Sequence, residues 1–271
     1  MPIYTFEGIM GSSKSLTAST MAYMEFYSRE MTRFCFQKLK EGLTPKEIAK
    51  VLKDEYDVDK VKAADFLTEA SRAIGRGDKE IPRLRIFSNT ELNIGLDEEG
   101  KNLVNAFDAE FFLAHVLDWE LRDCLIILDE SYIYLDSRSS ASKMNKLFTY
   151  FIVQTRKRDV DLYVCAQHID MVDKRLRRAA TWRGTCTYNE EKPCKGCNGM
   201  GWVAGKDGQR EKCPRCLGYC KWGTAVTFFV RKKPREKKKV TIWGPAVYHL
   251  FDTKELVKFQ GKDLKINPED L

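Results

Sequence analysis

Gly8-Ile9-Met10-Gly11-Ser12-Ser13-Lys14-Ser15 decides how this chain is read. It follows Ile3-Tyr4-Thr5-Phe6, an apolar stretch that reads as a strand, and it precedes a helical pattern from about Lys14 to Arg33. A loop that wraps phosphates needs small residues, so that backbone N–H groups can converge on them. It also needs a lysine for the β- and γ-phosphates and a hydroxyl for Mg²⁺. The helix behind it adds the positive end of its dipole. Gly8, Gly11, Ser12 and Ser13 are the small residues, Lys14 is the cation and Ser15 the hydroxyl. Ser13 occupies the position where the pattern wants glycine, a small replacement that the loop tolerates. A Gly/Ser turn that merely starts a helix is the plainer alternative.

Further along, Leu125-Ile126-Ile127-Leu128-Asp129-Glu130 is an apolar run ending in two carboxylates. Such a run suits a strand buried on both faces of a parallel sheet. In a nucleoside triphosphatase the first carboxylate, Asp129, holds Mg²⁺, and the second, Glu130, orients the attacking water or takes its proton. A phosphate loop followed at depth by such a pair points to ATP hydrolysis more firmly than either feature alone. Capping of the next helix is what the pair would otherwise do.

Leu162-Tyr163-Val164-Cys165-Ala166 is another short apolar strand, and it ends in Gln167-His168. A polar side chain there can stand between the γ-phosphate and Glu130, so Gln167 is the candidate sensor; His168 is read as a structural hydrogen-bonding group. Strands alternating with helices, including Leu84 to Asn89 and helical patterns over Asp108–Trp119 and Ser142–Arg158, give an α/β fold with a mainly parallel central sheet. Arg156, Arg158, Arg177 and Arg178 are candidates for an arginine that completes a neighbouring subunit's site, as ring-forming motors do.

These elements resemble the HerA–FtsK superfamily of DNA-pumping ATPases. The residues that carry the resemblance are Gly8 to Ser15, Ile86 to Asn89, Leu128 to Tyr132, Ser137-Arg138, Arg156-Lys157-Arg158 and Ala166-Gln167, with Phe251-Asp252-Thr253-Lys254-Glu255 near the end. Within the superfamily they look most like Zot-like proteins and viral genome-packaging ATPases. The resemblance implies a P-loop NTPase core of RecA-like type, ATP and Mg²⁺ as cofactors, and a homo-oligomeric ring. It also implies DNA, double- or single-stranded, held by phosphate contacts, and a capsid or portal protein as a further partner. The expected location is the cytoplasm, or a virion vertex if the source is viral. A Zot-type virion assembly or export ATPase and a nucleotide-gated zinc adaptor with little turnover are the alternatives; a P-loop kinase lacks an evident second substrate site.

Six of the nine cysteines fall between Cys186 and Cys220. An odd number of cysteines without an export signal argues for thiols rather than a disulfide framework. Cys194-x-x-Cys197 and Cys213-x-x-Cys216, fifteen residues apart, form two knuckles able to close a tetrahedral four-thiolate site, which means structural Zn²⁺. The C-x-x-C-x-G-x-G form of the first resembles a DnaJ-type knuckle. Cys186 and Cys220 are spare. The module is either a staple for a hairpin tip or, with Lys195, Lys206, Arg210, Lys212, Arg215 and Lys221, a contact surface for DNA or a capsid partner.

The expected organisation is a core over 1–182 with a helical insert at about 34–80, a zinc-knuckle module over 183–222, and strands and tail over 223–271 completing the core. In the insert, Thr44-Pro45-Lys46-Glu47 reads as a helix start with a capping box, which also invites a helix-turn-helix reading. Thr224–Val230 and Val240–Val247 read as strands joined by Arg231 to Lys239, seven of whose nine residues are basic and which reads most simply as a solvated turn. The 271 residues, 43% hydrophobic and 31% charged, allow a sizeable core and exclude global disorder. The net charge of +7 permits a nucleic-acid partner without requiring one. No apolar run approaches the roughly 20 residues of a membrane-spanning helix, which disfavours a membrane protein and an extrusion-type Zot protein.

Overall fold

The computed structural model describes residues 2–9, 12–97, 99–117, 121–135, 137–139, 142–188, 193–205, 208–214, 224–230 and 233–241. In chain order it holds β1 (Ile3–Glu7), α1 (Lys14–Lys40), α2 (Pro45–Tyr56), α3 (Lys60–Gly75), β2 (Arg85–Ser88) and β3 (Val104–Ala106). There follow α4 (Ala109–His115), β4 (Cys124–Leu128), α5 (Tyr132–Leu135), α6 (Lys143–Gln154), β5 (Val160–Ala166) and α7 (Lys174–Ala179). The last elements are β6 (Trp182–Tyr188), β7 (Trp202–Ala204), β8 (Arg210–Lys212), β9 (Thr224–Val230) and β10 (Lys233–Thr241).

Eight strands form one sheet in the order β10-β9-β6-β1-β5-β4-β2-β3. β1 pairs in parallel with β5 and β6, and β5 in parallel with β4, whereas β9 and β10 add antiparallel strands at one edge. The loop-bearing β1 and the acid-bearing β4 are therefore not neighbours; β5 lies between them, the order of a RecA-like P-loop core. Glu7 is level with Ala166 and Leu128 with Val164. The segments that leave β1, β4 and β5 thus emerge at one carboxyl edge, where ligands gather in open α/β sheets.

All five residues of β4 are buried, as a strand covered on both faces requires. The core on its flank is aromatic: Phe112 of α4 stacks on Phe148 of α6 with centroids 4.0 Å apart, and Phe151 meets Phe112 edge-on. Such pairs add about 0.5–1.5 kcal/mol each beyond the area they bury. No helix among the described residues is long and apolar enough to cross a membrane.

Residues Met21–Arg85 form a compact unit of their own. It is wider than the expected insert of 34–80 because α1 does not stop near Arg33. Phe34 to Leu39 contains no breaker, and the helix ends only before Gly42, which takes φ +91°. After α1 the unit continues as two helices: Asp57 adopts a left-handed conformation after α2, and Asp59 accepts from the Val61 and Lys62 N–H groups to start α3. The capping box is present, with Thr44 N–H donating to Glu47 Oε2 at 2.8 Å and Glu47 N–H to Thr44 Oγ1 at 3.4 Å. Cys35, Phe36, Ile48, Leu52, Phe66 and Ala70 are buried in this unit's core.

Two further sequence expectations change. Trp182–Tyr188 is a central strand, β6, which carries Cys186 in the main sheet and moves the start of the cysteine module beyond residue 188. The basic segment is not a turn. Lys233–Thr241 forms β10, an edge strand with a register shift between Lys233 and Lys237. The Phe251–Glu255 stretch and the remainder of the expected Val240–Val247 strand beyond Thr241 lie outside the described residues.

Candidate active site

At the carboxyl end of β1 the chain turns tightly. Gly8 N–H donates to the Gln167 carbonyl at 3.3 Å, which ties this loop to the end of β5. A Cβ on Gly8 would stand 2.3 Å from Ser12 Oγ and 2.7 Å from the Cys186 carbonyl oxygen, so the close backbone approach demands glycine. Ser12 N–H donates to the Ile9 carbonyl at 3.1 Å. Ser13 has φ +61°, a left-handed conformation that favours glycine, and it leads directly into α1. Gly11 lies outside the described residues. Lys14 is only 6% exposed and its Nζ donates to the Ile9 carbonyl at 3.3 Å.

Ser15, in the first turn of α1, reaches across to the acid strand: its Oγ donates to Asp129 Oδ2 at 2.5 Å. Asp129 is 5% exposed. Burial pushes its carboxyl above the usual range, against the opposing pull of the Ser15 hydroxyl, the Glu130 N–H and the Lys14 charge. Asn89, just past β2, fixes the Asp129 backbone from the other side. The Asp129 N–H donates to Asn89 Oδ1 at 2.7 Å, and Asn89 Nδ2 donates to the Asp129 carbonyl at 2.8 Å.

Glu130 takes φ +44°, uncommon for a residue with a side chain, and its N–H donates to Asp129 Oδ1 at 3.0 Å. Its carboxyl is raised by burial and then by the Asp129 charge; Lys14 and hydrogen bonds with Tyr132 and Gln167 act the other way. The Glu130–Gln167 bond brings together the two residues that the sequence singled out on different strands. Ser12 Oγ and Glu130 Oε2 are buried and have no hydrogen-bond partner among the described residues. The orphaned Ser12 Oγ and Glu130 Oε2, with buried Lys14 and Asp129, fit a polar ligand such as a nucleotide phosphate with its cation.

The candidate arginines separate. Arg158 is 2% exposed, donates from Nη2 to the Val116 carbonyl at 3.0 Å and lies over the Phe151 ring, so it ties the core together and cannot reach a neighbouring subunit. That expectation is corrected, because the chain turns the Arg158 side chain inward after α6. Arg156 and Arg178 are exposed, while Arg177 is bonded to Asp170. His168 accepts from the Asp170 N–H at 3.3 Å and caps a short 3₁₀ turn.

Asn89 and Tyr132 carry part of the family resemblance in the sequence, which assigns neither a role in the site. The signal for Asn89 was its place at a strand end level with the acidic pair, and for Tyr132 its place two residues past Glu130.

Three of the four expected zinc ligands come together. The sulfurs of Cys194, Cys197 and Cys213 are buried and lie within 4.8 Å of one another. Cys216 and Cys220 lie outside the described residues. Cys186 is elsewhere, with its Sγ 3.9 Å from Thr17 Oγ1 and its thiol pushed up to about 11 by burial.

The sequence matches the family described as Zonular occludens toxin (Zot) over residues 2–190. No curated protein matches it. Among solved structures it is similar to the N-terminal domain of zonular occludens toxin from Neisseria meningitidis, at 13% identity and a TM-score of 0.43, over 93% of this chain and 98% of that one. The genome packaging NTPase from Sulfolobus turreted icosahedral virus 2, in complex with ATP-gammaS, is similar at 11% identity and a TM-score of 0.39, over 89% of this chain and 98% of that one. With the family match extending from β1 through β6 and so across the whole of this site, the chain belongs to the Zot family.

Proposed function

We propose that this protein is an ATP-hydrolysing DNA translocase that serves viral genome packaging or virion assembly and works as a homo-oligomeric ring. The observation that carries the reading is the 2.5 Å contact between Ser15 and Asp129. It joins the hydroxyl of the phosphate loop to the first carboxylate of the acid strand, the two protein groups between which a P-loop site seats Mg²⁺. The motif resemblance to DNA-pumping ATPases supports DNA as the moved substrate, and the Zot family match supports a role in virion assembly or export.

Each residue then has a task. Lys14 and the loop N–H groups bind the β- and γ-phosphates, and the buried Ser12 hydroxyl gains the partner that it lacks. Ser15 and Asp129 hold Mg²⁺, which when bound offsets charge on the phosphate oxygens. Glu130 orients the attacking water and takes its proton, a role served by a carboxyl of raised proton affinity. Gln167, bonded to Glu130, responds to the γ-phosphate. Arg156, exposed past the end of α6, completes the site of the adjoining subunit.

ATP hydrolysis by the purified chain, with and without double-stranded DNA, tests this, with Lys14→Ala as control. Turnover that rises with DNA and vanishes in the variant is expected. Turnover indifferent to both DNA and Lys14 would end the reading. One observation favours a second reading, a nucleotide-gated adaptor: Ser13 holds φ +61° where glycine would be unstrained. Tight ATP binding without turnover would select it.

A further inference from the structure

After β6 the chain leaves the main sheet, and it returns only at β9. The described part of this excursion has one strand pair, β7 with β8, of three residues each. Its buried interior consists of Cys194, Cys197 and Cys213, with the partly buried Val203 against them. So few apolar groups among the described residues offset little of the entropy of ordering them, and small units of this kind need a disulfide or a metal. We infer that this segment folds around a Zn²⁺ ion held by the thiolates of Cys194, Cys197 and Cys213, in a structural site separate from the nucleotide site.

The geometry suits a metal and not a disulfide. Tetrahedral zinc with Zn–S bonds of about 2.3 Å separates its sulfurs by about 3.8 Å, and Cys194 Sγ lies 4.0 Å from Cys213 Sγ. A disulfide would need sulfurs at about 2.05 Å and would leave one of the three thiols over. The backbone is already arranged for anionic sulfur. Gly201 N–H donates to Cys197 Sγ at 3.1 Å and Gly196 N–H to Cys194 Sγ at 3.4 Å. Left-handed Asn198, Gly199 and Gly201 make the turn that aims the Gly201 N–H, and Cys213 N–H closes the two knuckles by donating to the Gly201 carbonyl at 2.9 Å.

Binding replaces the proton of each thiol by the metal, and those protons leave to solvent. Lys195, Arg210 and Lys212 are exposed, as is Glu211, and Arg210 is held over the Trp202 ring at 4.3 Å. Cys186 is excluded by its place in β6.

The test uses the full chain, purified without added metal. Elemental analysis should find one zinc ion per chain. Cobalt substitution should give thiolate-to-metal charge-transfer bands and the visible spectrum of tetrahedral Co²⁺. Cys194→Ser and Cys213→Ser should abolish the zinc, and Cys186→Ser, in β6, should leave it in place. Because the first variants could fail to fold, a mercurial titration of the intact wild-type protein accompanies them. Zinc should be released in step with thiol capping, and protease cuts within 189–223 should follow the release. A metal-free wild-type chain, cobalt without thiolate bands, or zinc retained in Cys194→Ser would overturn the proposal. None of these readouts depends on ATP turnover.

Discussion

Asn89 and Asp129 hold each other by two hydrogen bonds that run in opposite directions, at 2.7 and 2.8 Å, side-chain amide against backbone. The pair spans the β2 and β4 strand ends and leaves the Asp129 carboxylate free to turn towards Ser15. Asn89→Ala removes both bonds and leaves the Asp129 N–H without its acceptor, at a cost of about 1–3 kcal/mol. Asn89→Asp keeps the acceptor, loses the donor and adds a charge beside two carboxylates, so it should cost more. If Asn89 positions the acid strand, both variants lower kcat for ATP hydrolysis and leave KM nearly unchanged. Urea denaturation with steady-state kinetics checks this, and a loss confined to stability would mean a purely structural tie.

The carboxyls of Asp129 and Glu130 are both raised, chiefly by burial. The native state therefore holds these protons more tightly than the unfolded chain does. The sign follows: the contribution to stability is fullest below the ordinary carboxylate range and is lost as pH rises through the folded values. Asp129→Asn and Glu130→Gln escape that loss. Each should stabilise the nucleotide-free protein by about 1 kcal/mol at neutral pH, with the advantage over wild type shrinking as pH falls into the carboxylate range. Glu130→Gln should meanwhile lower turnover by roughly 10²- to 10⁴-fold, the usual worth of a general base, and keep nucleotide binding. Denaturation midpoints across pH, measured beside ATPase rates, decide it.

The loop offers opposite substitutions at neighbouring turns. Gly8→Ala would drive a methyl group into the Cys186 carbonyl, a backbone atom that cannot swing aside. A loss of about 1–3 kcal/mol and weakened nucleotide binding are expected. Ser13→Gly relieves a left-handed serine and should stabilise the protein by up to about 1 kcal/mol. If the strain at Ser13 also restrains turnover, as the adaptor reading requires, Ser13→Gly raises kcat several-fold. An unchanged kcat counts against that reading. Thermal melts and ATPase assays on the two variants give both answers.

Much of this site was legible because its groups follow strands of unbroken apolar character. Ile3–Phe6, Leu125–Leu128 and Leu162–Ala166 announce three buried strands, and the phosphate loop, Asp129-Glu130 and Gln167 stand directly after them. What the sequence hid were relations between strand ends. The strand end at Asn89 carries a resemblance in the sequence, but its tie to Asp129 shows only once β2 lies beside β4. β6 is faint in the sequence because Arg183, Gly184 and the threonines dilute its apolar signal. β10 reads as a turn in the sequence for a related reason: the basic run from Arg231 to Lys239 shows no apolar alternation. Burial separates Arg156 from Arg158, two residues apart and indistinguishable by composition.

That separation gives the last prediction. Arg158→Ala strips the Val116 carbonyl of its donor and empties a buried site over Phe151, so it should destabilise the chain by about 2–3 kcal/mol. Arg156→Ala removes an exposed side chain and should leave stability within about 0.5 kcal/mol of wild type. If Arg156 completes the site of a neighbour in a ring, Arg156→Ala loses ATPase activity while still binding nucleotide. Mixing then distinguishes an action in trans from one within the chain. Arg156→Ala subunits retain Glu130, and Glu130→Gln subunits retain Arg156. Where they adjoin in the right order, one site has both groups, so two inactive proteins should regain part of the activity when combined. If Arg156→Ala is inactive alone and no activity returns on mixing, Arg156 does not act across a subunit boundary. If Arg156→Ala keeps full turnover, exposed Arg178 becomes the residue to test in the same way.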